Sequence, residues 1–298
     1  MEYISTASMN DNDFIDFFEG KVRQTIDEFR LIDKKQKIIV AASGGKDSTV
    51  LLHIMKKFGY NVEALTVNAH IGCYSDKSLE NLKKFCSKER IVLHEVSLKN
   101  EFGNSLCSIM SILENKNIKK TSCSICGTLR RYLLNKHGRR LNADVILTGH
   151  NLDDEANGVL VSLFSGNLNH AARVGPLVST NGFISKAKPL YFCFEDEVER
   201  YSKVRNFDVH YGWCPCSVKG ARRFYAELEI SDSKRFNIVE NMLKNIPKLK
   251  SYFRADSIAL CSVCSEPSSN SVCQTCSLLS QMQDSEIKEE KESATCRT

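Results

Sequence analysis

The chain has 298 residues, 42% of them hydrophobic and 26% charged, enough for one α/β domain with appendages or for two small domains. A net charge of +5 permits nucleic-acid binding without demanding it. No apolar run is long enough to span a bilayer, and Met1–Ser5 lack the basic and apolar regions of a signal peptide, so a cytoplasmic location is expected.

In chain order, Asp11 to Leu31 predicts an amphipathic helix with Phe14, Phe18, Val22, Ile26 and Phe29 near one face. Strands and helices then alternate. Strand 37–42 is followed by helix 48–58, strand 62–68, helix 75–89 and strand 91–96. Helices around 104–117 and 126–137, strand 143–149 and a helix from about 153 complete the run. Such alternation predicts a parallel sheet with helices on both faces, whose ligands bind at the carboxyl ends of the strands. From about Ile230 the periodicity is helical up to Pro247, followed by basic Lys248-Leu249-Lys250. A cysteine-rich stretch at 261–276 and a Lys-, Glu- and Ser-dense tail, expected to be disordered, end the chain.

The chemistry concentrates behind the first strand. Ser43-Gly44-Gly45-Lys46-Asp47-Ser48 follows a buried strand and opens a helix. Two glycines allow a tight turn that points successive N–H groups at one spot, while the helix N-terminus and Lys46 add positive charge; this makes a phosphate cradle. The spacing is not G-x-x-x-x-G-K-[ST], and the loop is instead similar to the SGGxDS loop of N-type ATP pyrophosphatases. An ordinary strand-to-helix turn is the plain alternative. A second strand, Val145-Ile146-Leu147, runs into Thr148-Gly149-His150-Asn151-Leu152-Asp153-Asp154. Asp153 and Asp154 could cap the next helix, or one could hold Mg²⁺ against a triphosphate while the other steers the attacked atom. The edge Ala64–Asn68 with His70 and Gly72 offers backbone for an adenine, although a core strand and loop explain it equally well.

Thirteen cysteines in a reducing compartment point to metal where they cluster. Cys261-Ser-Val-Cys264 and Cys273-Gln-Thr-Cys276 form two C-x-x-C hooks eight residues apart, a closed S4 site for which zinc is the natural occupant. The role of such a knuckle is open: RNA contact, or locking a chain end. Cys123-Ser-Ile-Cys126 has no second hook nearby; with Cys214 it would supply three thiolates and an open position, suited to an iron–sulfur cluster or to persulfide and disulfide chemistry. Cys216 competes with Cys214 for that place. Cys73, Cys86, Cys107, Cys193 and Cys296 read as buried free thiols.

The ordered set Ser43–Ser48, Cys123-x-x-Cys126-Gly127, Gly149–Asp154, Cys214-Pro215 and a terminal double C-x-x-C resembles the tRNA 2-thiolation enzymes of the TtcA/TtuA superfamily. Cys126-Gly-Thr-Leu-Arg-Arg-Tyr-Leu-Leu-Asn135 and Cys261-Ser-Val-Cys-Ser-Glu-Pro267 are similar to the TtuA/NcsA 2-thiouridine synthetase branch, and the likeness covers roughly residues 20 to 280. It implies a parallel-sheet N-type ATP pyrophosphatase (PP-loop, adenine nucleotide alpha hydrolase-like) domain at 33–215. Residues 1–32 would be a helical segment, 216–255 a helical addition, 256–279 a zinc knuckle and 280–298 a disordered tail.

The resemblance further implies that Ser43, Gly44, Gly45, Lys46, Asp47 and Ser48, with His70 and Gly149, bind ATP and Mg²⁺. Cys123, Cys126 and Cys214 would hold a 4Fe-4S cluster with one iron free for sulfur, and Cys261, Cys264, Cys273 and Cys276 would hold Zn²⁺. Asp154, Arg130 and Lys46 would serve the reaction, with Arg130 standing where some relatives have Lys. The expected reaction adenylates the uridine C2 oxygen of a tRNA and replaces it with sulfur from a ubiquitin-like carrier or free sulfide. A homodimer is plausible within the family.

Two departures stand out: Asn68 replaces a customary Asp, and residues 1–30 hold no cysteine where an N-terminal zinc finger is customary. A composition rich in Asn and Cys tips the target towards the wobble uridine of a mesophile. The alternatives are a 2-thiocytidine synthetase, which generally lacks the terminal zinc module, another adenylating pyrophosphatase, and a non-catalytic RNA-binding or iron-sensing protein.

Overall fold

A computed structural model describes residues 2–168, 174–212, 214–217, 230–252 and 257–282. A continuous apolar strand, β1 (Ile38–Ala41), lies at the middle of a six-stranded sheet. Around it lie β2 (Val62–Asn68), β3 (Leu93–Ser97), β4 (Val145–Leu147), β5 (Leu177–Val178) and β6 (Ser185–Ala187), in the order β3-β2-β1-β4-β6-β5. All neighbours are parallel except β5 against β6. Strand order reverses at β1, so the crevice beyond the carboxyl ends of β1 and β4 is the ligand position of this architecture.

Both faces of β1 are covered, which is why its sequence is an unbroken apolar run rather than an alternation. On one face, Ile38 and Val40 pack with α1 (Asp11–Glu28), α2 (Lys46–Lys57) and α3 (Gly72–Glu89), through Phe14, Phe18, Val22, Leu51, Met55 and Leu82. On the other, Ile39 packs with α5 (Leu106–Asn115) and α6 (Ser122–Arg140), through Ile109, Ile125, Leu129 and Leu133. A one-turn helix, α4 (Leu98–Phe102), joins β3 to α5. The opening helix therefore packs into the main core. Asn10 caps it, its side chain accepting from the Asn12 and Asp13 amides.

Beyond β4, α7 (Leu152–Phe164) packs on α9 (Asp232–Tyr252) around Tyr191, Phe192 and Phe236, and α8 (Glu195–Val204) returns against α2. The segment holding β5, β6 and α8 carries no motif and was not expected from sequence. Pro247, expected to end the long helix, lies inside α9, so Lys248 and Lys250 sit on its last turns. A small ribbon, β7 (Ala259–Leu260) with β8 (Pro267–Ser268), precedes α10 (Gln274–Ser280), whose Leu278, followed by Met282, docks on the α6 core. The expected disordered tail lies, from residue 283, outside the described residues, as do residues 218–229. Among the described residues, no helix is long and apolar enough to cross a membrane.

Candidate active site and metal centres

The turn after β1 is built around Gly44, held at φ +79°, where an added Cβ would run into the Ser78 carbonyl oxygen. Only glycine fits, because the α3 backbone passes against the loop. Ser43 and Ser48 close the turn: the Ser43 amide donates to Ser48 Oγ at 3.2 Å, the Gly45 amide to Ser43 Oγ at 3.3 Å, and Ser48 Oγ to the Gly45 carbonyl at 3.1 Å. Gly149, after β4, faces this turn; a Cβ there would lie 3.1 Å from the Ser48 amide nitrogen. The two loops thus abut, as their expected shared role demands.

Lys46 points along the crevice to Glu195 (2.9 Å) and Asp47 (3.5 Å). Burial opposes its charge, but these two carboxylates outweigh it and hold the ammonium above the ordinary lysine range. Burial, with the nearby carboxylates of Asp154 and Glu195, lifts the Asp47 carboxyl above its ordinary value despite Lys46 and an Asn151 amide donating to it at 3.1 Å. Three acids crowding one lysine beside a phosphate cradle make a setting that a divalent cation would relieve.

The paired aspartates part ways. Asn151, not either acid, caps α7, and Asp154 completes the capping box by accepting from the Asn151 amide at 3.4 Å. Asp153 is buried and accepts from Arg235 (2.5 Å) and the Glu195 amide (2.7 Å), so it ties α7 to α8 and α9. Asp154 remains on the Asp47 side. His70 stands at the end of β2 with φ +52°, its ring Nε2 2.7 Å from Ser97 Oγ and its amide donating to Asn68 at 2.9 Å. Asn68 therefore shapes this turn.

Three thiols lie near one another at the same edge, less tightly gathered than the terminal cysteines. Thr121 caps α6, placing Cys123 exposed and Cys126 half-buried in its first turns. The 214–217 segment is fastened there by the Cys216 carbonyl, which accepts from Ser122 Oγ at 2.6 Å and faces Cys123 Sγ at 3.9 Å. Burial raises the Cys126 thiol against the pull of Arg130, and the nearby thiols of Cys214 and Cys123 raise it further. Cys216 lies against Cys214, with its thiol pushed up to about 12, chiefly by burial. The Arg130 guanidinium sits beside Cys126 with its Nε buried and, among the described residues, without a hydrogen-bond partner. An open thiolate set with a buried, unsatisfied donor suits a sulfur-rich anionic group, so the residues fit an iron–sulfur cluster. Sequence reasoning missed Tyr74, whose phenol lies among Cys214, Arg130 and Lys46. No local signal marks it, since its neighbours are brought together only by the tertiary fold.

The second set is closed. The Sγ atoms of Cys261, Cys264, Cys273 and Cys276 lie within 4.8 Å of one another. Cys264 and Cys273 are 3.8 Å apart, matching the edge of about 3.8 Å expected of a tetrahedron with Zn–S near 2.3 Å. Backbone amides of Val263 and Cys273 point at Cys261 Sγ, and that of Cys276 at Cys273 Sγ. Glu266, inside the knuckle, accepts from Asn135 (3.2 Å) and Arg139 (2.5 Å) of α6. Of the remaining cysteines, Cys86 and Cys193 are buried thiols as expected. Cys107 is exposed rather than buried, and so is Cys73, which is disulfide-bonded rather than free. Cys296 lies outside the described residues.

A cradle at the switch of a parallel sheet, with a second loop locked against it, defines a PP-loop nucleotide-binding protein, and the PP-loop domain model matches residues 17–211. The sequence is 36% identical over 270 residues to a tRNA-5-methyluridine(54) 2-sulfurtransferase of Pyrococcus horikoshii, covering 88% of this chain and 84% of that protein. It is 31% identical over 276 residues to cytoplasmic tRNA 2-thiolation protein 1 of Danio rerio, covering 88% and 79%. The fold superposes on the U34-tRNA thiolase NcsA from Methanococcus maripaludis with its [4Fe-4S] cluster, with TM-score 0.73, 25% identity, and 94% and 90% of the chains covered. The chain belongs to the tRNA 2-sulfurtransferases of the PP-loop family.

Proposed function

We propose that this protein is an ATP-dependent tRNA 2-thiouridine synthetase with two metal centres, acting in the cytoplasm. The observation that carries this reading is the nearness of the phosphate cradle to the three-thiol rim, with the Tyr74 phenol close enough to feel both Lys46 and Cys214. The amides of Ser43–Ser48 would receive the β and γ phosphates, Lys46 would neutralise the departing pyrophosphate, and Asp47 would hold Mg²⁺. His70 and Gly149 would border the nucleotide.

The uridine C2 oxygen attacks the α-phosphorus, pyrophosphate leaves, and a sulfur nucleophile then displaces AMP together with that oxygen. Asp154 and Arg130 face this reacting centre from α7 and α6. Cys123, Cys126 and Cys214 would hold the 4Fe-4S cluster, which would supply Lewis-acid chemistry for delivering sulfur. Cys216, whose thiol lies against Cys214 and feels Cys126, competes for the third ligand place. Cys261, Cys264, Cys273 and Cys276 would hold Zn²⁺.

The sulfur source is a ubiquitin-like carrier thiocarboxylate or free sulfide, and we favour the wobble uridine on the Asn- and Cys-rich composition. On this reading residues 33–215 catalyse and 256–279 brace. Anaerobic incubation with ATP, sulfide and unmodified tRNA, followed by nucleoside mass spectrometry, is expected to give pyrophosphate and 2-thiouridine. Full thiolation by Cys123→Ala would contradict the role of the rim.

A further inference from the structure

α6 lies directly on β4 and β6. A Cβ at Gly138 would come within 2.8 Å of Ile184 Cδ1 and 3.0 Å of Ile146 Cδ1, so glycine lets helix and sheet touch there. Lys186 pairs in register with Ile146 and shares its face of the sheet. It lies two residues beyond Ile184, about 7 Å along the strand. Arg131 lies two helical turns before Gly138, about 10 Å along the axis, and its Nη1 would be 3.0 Å from a Cβ at Gly127. Arg131 and Lys186 therefore face each other across the helix–sheet seam, one turn from Cys126.

Among the described residues, the charge on Lys186 is not balanced. Lys188, two residues on and just past the end of β6, is matched by Glu155 at 2.8 Å. Lys186 is half-buried and, among the described residues, has no carboxylate or hydrogen-bond partner. Burial, with Arg131 and Lys188, pulls its ammonium below the ordinary lysine range. An uncompensated ammonium in such a place is costly to the free protein, and replacing it with an apolar residue of similar size relieves the cost. A basic pair beside a reacting centre, retained at that cost, is a seat for an anion.

We propose that Lys186 and Arg131 bind a backbone phosphate of the tRNA, seating the substrate strand against α6 beside the three-thiol rim. The seat rests on the tRNA reading above. ATP phosphates are the competing source of the same chemistry, but their cradle lies after β1, on the far side of β4.

Lys186→Met is the informative variant, because it removes the charge and keeps the volume. Fluorescence anisotropy of labelled unmodified tRNA across a sodium chloride series is expected to show about tenfold weaker binding at 0.1 M salt. The slope of log K against log salt should fall by about one contact, while the melting temperature of the RNA-free protein stays level or rises. Lys186→Arg should restore the affinity, and ATP affinity should change less than about twofold. Wild-type binding that Lys186→Met leaves unaltered in strength and slope would overturn the seat, as would a loss confined to ATP. Wild-type protein with no salt-dependent tRNA affinity would contradict the tRNA reading itself.

Discussion

The two cysteine centres are built on opposite plans. At the knuckle, four sulfurs lie within 4.8 Å of one another and are largely buried. Backbone amides already point at them, so little but the ion is missing. At the rim, Cys123 is exposed, Cys126 and Cys214 are half-buried, and the third thiol arrives from a segment nearly ninety positions away in sequence. A closed S4 set excludes further ligands and belongs to structure, whereas an open three-thiol set leaves room for an exchangeable partner. α6 joins the two, carrying Cys123, Cys126 and Arg130 in its first half and receiving Glu266 of the knuckle on Asn135 and Arg139 in its second.

The sharpest way to break the contrast is to remove one thiol from each centre. Cys126→Ala should abolish bound iron and thiolation while leaving zinc content and melting temperature nearly unchanged. Cys276→Ser should do the reverse first: zinc is lost, and residues 257–282 lose amide protection, because metal binding there is folding free energy. Equal loss of both metals in both variants would erase the distinction.

A milder cut tests the link between them. Glu266→Ala leaves Asn135 and Arg139 without their acceptor and should cost about 1–3 kcal/mol, with faster hydrogen exchange over residues 129–140 and all four zinc ligands intact. Exchange confined to the knuckle would show that α6 does not feel it.

The smallest effect lies away from both centres. Burial pushes the Glu19 carboxyl up, but hydrogen bonds from Lys57, Tyr201 and Arg205 outweigh it and hold the folded-state value below the ordinary 4.5. Glu19 therefore contributes stability that is present above pH 4.5 and is lost as pH falls through the folded value. Glu19→Gln should cost about 1 kcal/mol at neutral pH and flatten the acid limb of a melting-temperature profile. Neither metal content should change.

Much of the fold was legible because its signals are local. The β1 run, the Gly44 turn and the periodicity of α2 and α3 each follow from neighbouring residues, and the alternation implied the parallel sheet. β5, β6 and α8 escaped because they are short and held by pairing with distant strands, which leaves no period to read. Pro247 failed as a stop because α9 continues through it. At the site, the cradle, the terminal cysteine set and the Cys123–Cys126 hook were readable as spacings, whereas Cys214 rested on the family resemblance and Cys216 competed for its place. Glu195 and Tyr74 were not, since nothing local marks them: each matters only through what the tertiary fold brings beside Lys46. Asp153 shows the converse, a motif residue that Arg235 and the Glu195 amide claim for structure.

The most direct test of a two-centre thiolation enzyme is metal and sulfide analysis of anaerobically purified, reconstituted protein, with an absorbance spectrum. About four irons and one zinc per chain are expected, with the iron lost in Cys123→Ala and the zinc retained. Zinc without iron after reconstitution would contradict the account.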